Sequence, residues 1–284
     1  MKKLLREVVP FIAIIRNYTG RERLRFLMSY GRCFLHVALK ISSHGGKTIH
    51  ASFLGYRISF FDARTFISLL SEIFFRREYE FDAMRVDPYI IDCGSNIGMS
   101  VLYFKYCYPR ARIIAFEPDP QTYRVLVENV AQNGLSDVAL YNLALADREG
   151  TVSLHRDPSH AGSLTMSVVG PHALKEPLEK VDVRTAPLST FITGNETVDF
   201  LKIDIEGSEG LVLAELERSG AINSVREMII EYHGDPARPE NSLASLLKIL
   251  EHGGFHTLVR SAHKRPPYAR YKHKHYTLLV QAYR

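Results

Sequence analysis

Tyr89-Ile-Ile-Asp92-Cys-Gly94-Ser-Asn96-Ile-Gly98-Met-Ser100, followed by Ile113-Ile-Ala-Phe116-Glu117-Pro118, is the stretch on which the fold of this 284-residue chain turns. An apolar run ends in an acidic residue and a glycine turn, a helical pattern follows, and a second apolar run ends in Glu117. That is a strand, turn, helix, strand unit suited to holding a nucleoside. Ile90 and Ile91 before Asp92 fit a strand buried on both faces. Gly94 and Gly98 let the backbone bend and approach a ligand closely where a Cβ would intrude. Ser95 and Asn96 can cap the following helix, whose free N–H groups face the turn. Glu117, 25 residues after Asp92, stands at the tip of the next strand, where a carboxylate can accept both hydroxyls of a ribose.

The pattern D-x-G-x-x-x-G has one glycine fewer than the G-x-G-x-x-G of pyrophosphate binders. A pyrophosphate needs backbone all round it, whereas an amino-acid and sulfonium tail does not. The turn therefore favours S-adenosylmethionine (SAM) over NAD.

A second stretch, Val198-Asp-Phe-Leu-Lys-Ile203-Asp204-Ile-Glu206-Gly207-Ser-Glu209, repeats the logic: an apolar strand ends in a knot of carboxylates beside a glycine, and Glu209 begins a helix. Val138 to Ala144 reads as a third strand and Val225 to Tyr232, running on to His233, as a fifth, with helices at Asp119 to Asn133 and Leu243 to His252. Phe255 to Arg260 and Tyr276 to Tyr283 complete the set. Alternating strands and helices require a largely parallel sheet covered on both faces, and ligands of such sheets sit at the carboxyl ends of the strands. Asp92, Glu117, Asn142, Asp204 and Glu231 all fall near such ends. Thr151 to His155 and Val181 to Thr185 alternate like paired strands around an insert, residues 156 to 177, of the length expected for a lid over the acceptor.

Before residue 87 the pattern differs. Residues 3 to 41 read as helical, Thr48 to Phe61 as a hairpin turning at Gly55, and Arg64 to Arg77 as a helix. We expect residues 1–86 to form a helical and hairpin extension and residues 87–284 the catalytic domain. The net charge of +5 is unevenly spread: residues 1–40 hold nine Lys and Arg against two acids, residues 260–284 hold seven and no acid, and the stretch between is acidic. Basic ends on an acidic body suit a membrane surface or another anionic partner, or are simply solvated; no RNA-binding motif accompanies them, so no nucleic-acid partner is expected. The basic amphipathic N-terminal helix can pack on the main domain or lie on anionic lipid. The apolar run Val8 to Ile15 is short, contains Pro10 and meets Arg16 without a cleavage site, and no segment is long enough to span a bilayer. Three cysteines without metal spacing point to a reduced, cytoplasmic protein, with peripheral contact at the inner membrane face as the variant of that reading. His155, His160, His172, His263, His273 and His275 show no zinc spacing and read as loop and surface residues.

Asp92-Cys-Gly-Ser-Asn-Ile-Gly98, Phe116-Glu-Pro-Asp119, Glu128-Asn129 with Asn133-Gly134, Asn142-Leu-Ala-Leu-Ala-Asp147 with Gly150, and Leu201-Lys-Ile-Asp-Ile-Glu-Gly-Ser-Glu209 together resemble the FkbM-type family of SAM-dependent methyltransferases, over about residues 89 to 232. The resemblance implies a Rossmann-like class I methyltransferase fold, a seven-stranded sheet of order 3-2-1-4-5-7-6 with the last strand antiparallel. It also implies O-methyl transfer to a hydroxyl, often on a sugar, glycan or secondary metabolite. By that likeness Gly94, Ser95, Asn96 and Gly98 hold the methionine part of SAM, Glu117 and the adjoining Pro118 the ribose, and Asn142, Ala144 and Leu145 the adenine.

The sulfonium methyl is already a good electrophile, so the enzyme must place an oxygen in line behind it and take up the hydroxyl proton as the bond forms. Asp204 is placed to orient cofactor or substrate, and Glu206 and His233 are the candidate bases. Glu206 and Glu209 equally suit the N-terminus of the helix they precede, and His233 suits an ordinary strand end. A Mg²⁺ ion held by Asp204, Glu206 and a further carboxylate stays open. So do two other readings: a nucleotide- or NAD-binding enzyme of carbohydrate metabolism, and a non-catalytic SAM-binding scaffold.

Overall fold

The computed structural model describes residues 2–40, 48–156, 179–193, 196–235, 241–261 and 276–284. The insert expected at residues 156–177 lies outside them except for Arg156, as do the histidines at 160, 172, 263, 273 and 275.

The chain begins with two helices, α1 (Lys2–Asn17) and α2 (Gly20–Lys40). The single helical reading of residues 3 to 41 is thus broken at Tyr18 and Thr19, where the chain turns so that Tyr18 stacks on Phe26. Pro10, in the apolar run Val8 to Ile15, lies inside α1. Next comes the hairpin β1 (Ile49–Phe53) and β2 (Tyr56–Phe60). Leu54 and Gly55 at its tip both have positive φ, the twist a two-residue hairpin needs. Helix α3 (Ala63–Leu69), capped by the Asp62 carboxylate on Thr65 N–H, runs into a π-helical turn over Leu70–Phe75.

From Tyr89 onward come β3 (Tyr89–Cys93), α4 (Met99–Cys107), β4 (Arg112–Phe116), α5 (Pro120–Gln132) and β5 (Val138–Tyr141). The third strand stops at Tyr141, short of Ala144. Ala144–Leu145 is a separate strand, β6, in a small sheet with β7 (Gly150–Arg156) and β8 (Glu179–Ala186). Then follow β9 (Val198–Ile203), α6 (Glu209–Ser219), β10 (Val225–Gly234), α7 (Leu243–His252), β11 (His256–Ser261) and β12 (Tyr276–Tyr283).

The main sheet has the order β5-β4-β3-β9-β10-β12-β11. Pairing is parallel from β5 to β10, and β12 runs antiparallel to both of its neighbours. This is the expected 3-2-1-4-5-7-6 topology. Its central strands are apolar on both faces because each face is covered. Ile90, Ile113, Phe200 and Ile229 pack with the N-terminal helices, the hairpin, α4 and α5. Their chain neighbours Ile91, Leu201 and Ile230 pack with α6 and α7 on the other side. The N-terminal extension therefore shares a core with the sheet. Asn129 on α5, fully buried, pins it further: its amide pairs with both backbone groups of Ser59 and donates to Ile97 O at 2.8 Å.

Candidate active site

The two informative stretches meet because β3 and β9 are adjacent and parallel. Gly94 and Ser95 both donate their N–H to Phe116 O at the end of β4 (3.0 and 2.8 Å), and Gly98 N–H donates to Ser95 O. Gly94 has φ +83°, and a Cβ there would lie 1.8 Å from Asp204 O. The turn after β3 is thus pressed against the turn after β9, and only glycine permits it. Gly98 (φ +88°) supports the turn from behind, where a Cβ would meet Leu126.

Around these turns a cleft opens toward solvent. Gly94, Ser95, Asn96, Glu117 and Pro118 lie on its wall, as do Ala144, Leu145, Asp204 and Glu206. Four candidates do not, and of these His233 sits beyond Glu206, at the end of β10. Asp92 is wholly buried, accepts from Ser100 Oγ and stands 3.2 Å from Lys202 Nζ, so it braces the turn from beneath. Gly98 lies behind the turn. Asn142 turns its amide back to donate to Glu117 O and Pro118 O (both 2.8 Å), leaving the wall to Leu143.

Glu117 is 4% exposed, and its two oxygens accept the N–H groups of Asn96 and Asp119, each at 2.9 Å. Burial nonetheless pushes its pKa up to about 8, against the pull of those two N–H bonds. A buried carboxylate on a cleft wall with one lone-pair direction left on each oxygen fits a vicinal diol, whose two hydroxyls would favour its ionised form. Beside it Phe116, Leu143 and Leu145 form an apolar wall suited to a flat base.

At the other end lies a cluster of charge. Lys202, inside the apolar β9 and 2% exposed, donates to Gly94 O at 2.6 Å and stands 3.2 Å from Asp92 and 3.4 Å from Asp204. Burial would lower its pKa, but the two aspartates outweigh that and hold it above its ordinary value. Glu206 has φ +54°, a left-handed backbone rare for a non-glycine residue and costing on the order of 1–3 kcal/mol. Its Oε2 comes 3.5 Å from His233 Nε2, at the end of β10. The other ring nitrogen, Nδ1, is 2.8 Å from Oε1 of Glu209, which is buried and also accepts Gly207 N–H. Glu231 stands 4.0 Å from the same imidazole. Burial works against the charged form of His233, but Glu209 and Glu206 dominate and raise its pKa well above the ordinary value. Burial likewise raises Glu206 and Glu231, opposed by His233 and reinforced by Asp204.

Asp204, Glu206 and His233 can each present one ligand atom within 4.8 Å of the others. That spacing would admit a cation. However, two carboxylates and an imidazole are not the all-oxygen set that Mg²⁺ prefers, so the donor set does not favour Mg²⁺.

Sequence reasoning missed Lys202 and the wall contributed from outside the sheet domain: Leu69, Ile73 and Tyr79 face the cleft. Tyr79 OH donates to Asp204 Oδ2 at 3.4 Å, and its ring lies 5.3 Å from Lys202 Nζ. A lysine inside an otherwise apolar strand was the signal available for Lys202. Nothing local distinguishes Tyr79.

Residues 92–257 match the family model described as the Methyltransferase FkbM domain. Methyltransferase sdnD of Sordaria araneosa is 33% identical over 190 residues, covering 57% of this chain and 73% of that protein. The hexuronic acid methyltransferase AglP of Haloferax volcanii is 29% identical over 52% of this chain and 56% of its own length. The 2-O-methyltransferase NoeI of Sinorhizobium fredii is 26% identical over 45% and 57%.

Proposed function

The chain belongs to the FkbM-type family of SAM-dependent methyltransferases, and from that premise we propose that it methylates a hydroxyl oxygen of a sugar, a glycan or a comparable small polyhydroxylated acceptor. The acceptor class rests on relatives whose names specify a hexuronic acid and a 2-O position. In this reading Gly94 to Asn96 hold the methionine part of SAM, Glu117 the ribose, and Leu143 to Leu145 with Phe116 the adenine. SAM supplies a methyl group on a positively charged sulfur.

The observation that carries the chemistry is Glu206, held in a left-handed backbone on the cleft wall and facing a histidine that Glu209 orients. Four carboxylates, Asp204, Glu206, Glu209 and Glu231, surround one imidazole and favour its protonated form, so the base is Glu206 in its ionised form, whose pKa burial raises to about 8. As the acceptor oxygen bonds to the methyl carbon and the carbon–sulfur bond breaks, the hydroxyl proton passes to Glu206. A carboxylate pushed up by burial is a stronger base than an ordinary glutamate and titrates nearer the working pH. Asp204, tied to Lys202 and Tyr79, orients what enters between them. The Leu69, Ile73 and Tyr79 wall excludes water from the acceptor side.

Incubation with methyl-labelled SAM and a panel of uronic acids, hexoses and oligosaccharides, read by mass spectrometry, tests this directly. Label on a ring hydroxyl supports it; label on nitrogen, carbon or a carboxylate overturns it.

A further inference from the structure

Helix α2 is apolar on two opposite sides. Phe26, Tyr30, Cys33 and Val37 form its inward stripe, each at most 2% exposed. Leu24, Met28 and Leu35 are 57, 49 and 61% exposed, with Gly31 between them and nothing within 4 Å of the Cβ it lacks. At 100° per residue the outward stripe is centred about 160° from the inward one. Burial in the core cannot account for it. On α1, Ile12 and Ile15, one turn apart, are also about half exposed. Five of the twelve large apolar side chains exposed among the described residues therefore lie between positions 12 and 35.

Charge identifies what covers this face. Arg21 and Arg32 are exposed and run along one edge of the Leu24, Met28 and Leu35 stripe, while Arg25 on the same edge has its guanidinium over the Tyr106 ring. Among the described residues no carboxylate pairs with Arg21 or Arg32. The one acid of α2, Glu22, lies on the far side of the helix, against Tyr106 OH. Residues 1–40 carry nine basic residues against two acids. An apolar stripe edged by long cationic side chains matches an interfacial helix, whose apolar face enters the acyl boundary while guanidinium groups reach anionic headgroups.

We propose that the outward face of the N-terminal helix pair docks on an anionic membrane surface, with α2 lying in the plane of the interface. The docking element is tied to the cleft. Asn17 Nδ2 donates to Phe75 O at 2.6 Å and Tyr18 OH donates to Phe74 O, so both bonds hold the π-helical turn whose Ile73 faces the cleft. The proposal stands whatever the acceptor is.

The test is co-sedimentation of the full chain with vesicles of phosphatidylcholine alone and of phosphatidylcholine mixed with phosphatidylserine. Binding is expected to the mixed vesicles only, with release at high salt. The variant Leu24→Ser/Met28→Ser/Leu35→Ser should bind about tenfold or more weakly. Arg21→Gln/Arg32→Gln should also bind less and show a weaker salt dependence. All these side chains are exposed, so S-adenosylhomocysteine affinity and melting temperature should match the native protein and report an intact fold. The proposal is overturned if the native chain ignores both vesicles, binds both equally, or is matched by the triple serine variant. It is also overturned if sedimentation velocity shows a dimer that this variant dissolves, since the face would then belong to a second copy.

Discussion

Replacing Glu117 by Ala tests the cofactor assignment most sharply. Each carboxylate oxygen already accepts one backbone N–H, from Asn96 and Asp119, leaving each one further lone-pair direction for a ribose hydroxyl. Truncation removes both acceptors, and hydrogen bonds to a charged group contribute about 1.5–3 kcal/mol. At 1.4 kcal/mol per factor of ten, S-adenosylhomocysteine should bind about 10- to 150-fold more weakly. The two orphaned N–H groups also cost stability, about 1–3 kcal/mol each, so calorimetric titration must be run well below a melting point measured for each variant. A second readout does not depend on stability. Burial raises the Glu117 pKa to about 8, while the ribose hydroxyls need the ionised form, so binding must expel a proton at neutral pH. Native affinity should then rise about fivefold between pH 7 and pH 8, with close to one proton released at pH 7, as read in buffers of different ionisation enthalpy. Both effects should vanish in Glu117→Ala. A folded variant that binds within about twofold of the native protein, or native binding without proton release, refutes the assignment.

Glu206→Gln should lower kcat by about 10²- to 10⁴-fold with S-adenosylhomocysteine affinity retained. Native activity should rise with pH as the burial-raised Glu206 ionises. In His233→Asn, which loses the cation that favours the carboxylate, that limb should move to higher pH; a flat native profile counts against Glu206 as base. Lys202→Met leaves the buried Asp92 without its cation and should destabilise by about 3–5 kcal/mol in urea unfolding. Gly94→Ala combines a Cβ 1.8 Å from Asp204 O with positive φ and should cost more than about 3 kcal/mol, read as a fall in melting temperature. Treatment with EDTA should leave turnover unchanged, because two carboxylates and an imidazole are a poor donor set for Mg²⁺; loss of activity restored by Mg²⁺ would reverse that reading.

The turns and acidic strand ends that line the cleft were legible because their constraints are local. A strand buried on both faces must be continuously apolar, a turn with positive φ needs glycine, and an acidic residue ending such a strand stands out against it; Gly94, Glu117, Asp204 and Glu206 follow from these rules. The alternation of strands and helices was legible for the same reason, down to the boundaries of β9, α6 and α7. The direction of Asn142 was not legible, because a strand end shows position but not side-chain direction; its amide satisfies the two carbonyls of Glu117 and Pro118. Helices α1 and α2 merged in the sequence because helical periodicity runs through the break at Tyr18 and Thr19. Only the folded chain brings Tyr79 to Asp204, 125 residues away, and encloses Lys202 between two aspartates. Only the folded chain sets Glu209 behind His233, and only burial on one side of α2 reveals that its opposite side is apolar too. These pairings depend on strand order and helix docking, which are decided by burial summed over the whole core, whereas a turn is decided by the few residues that make it.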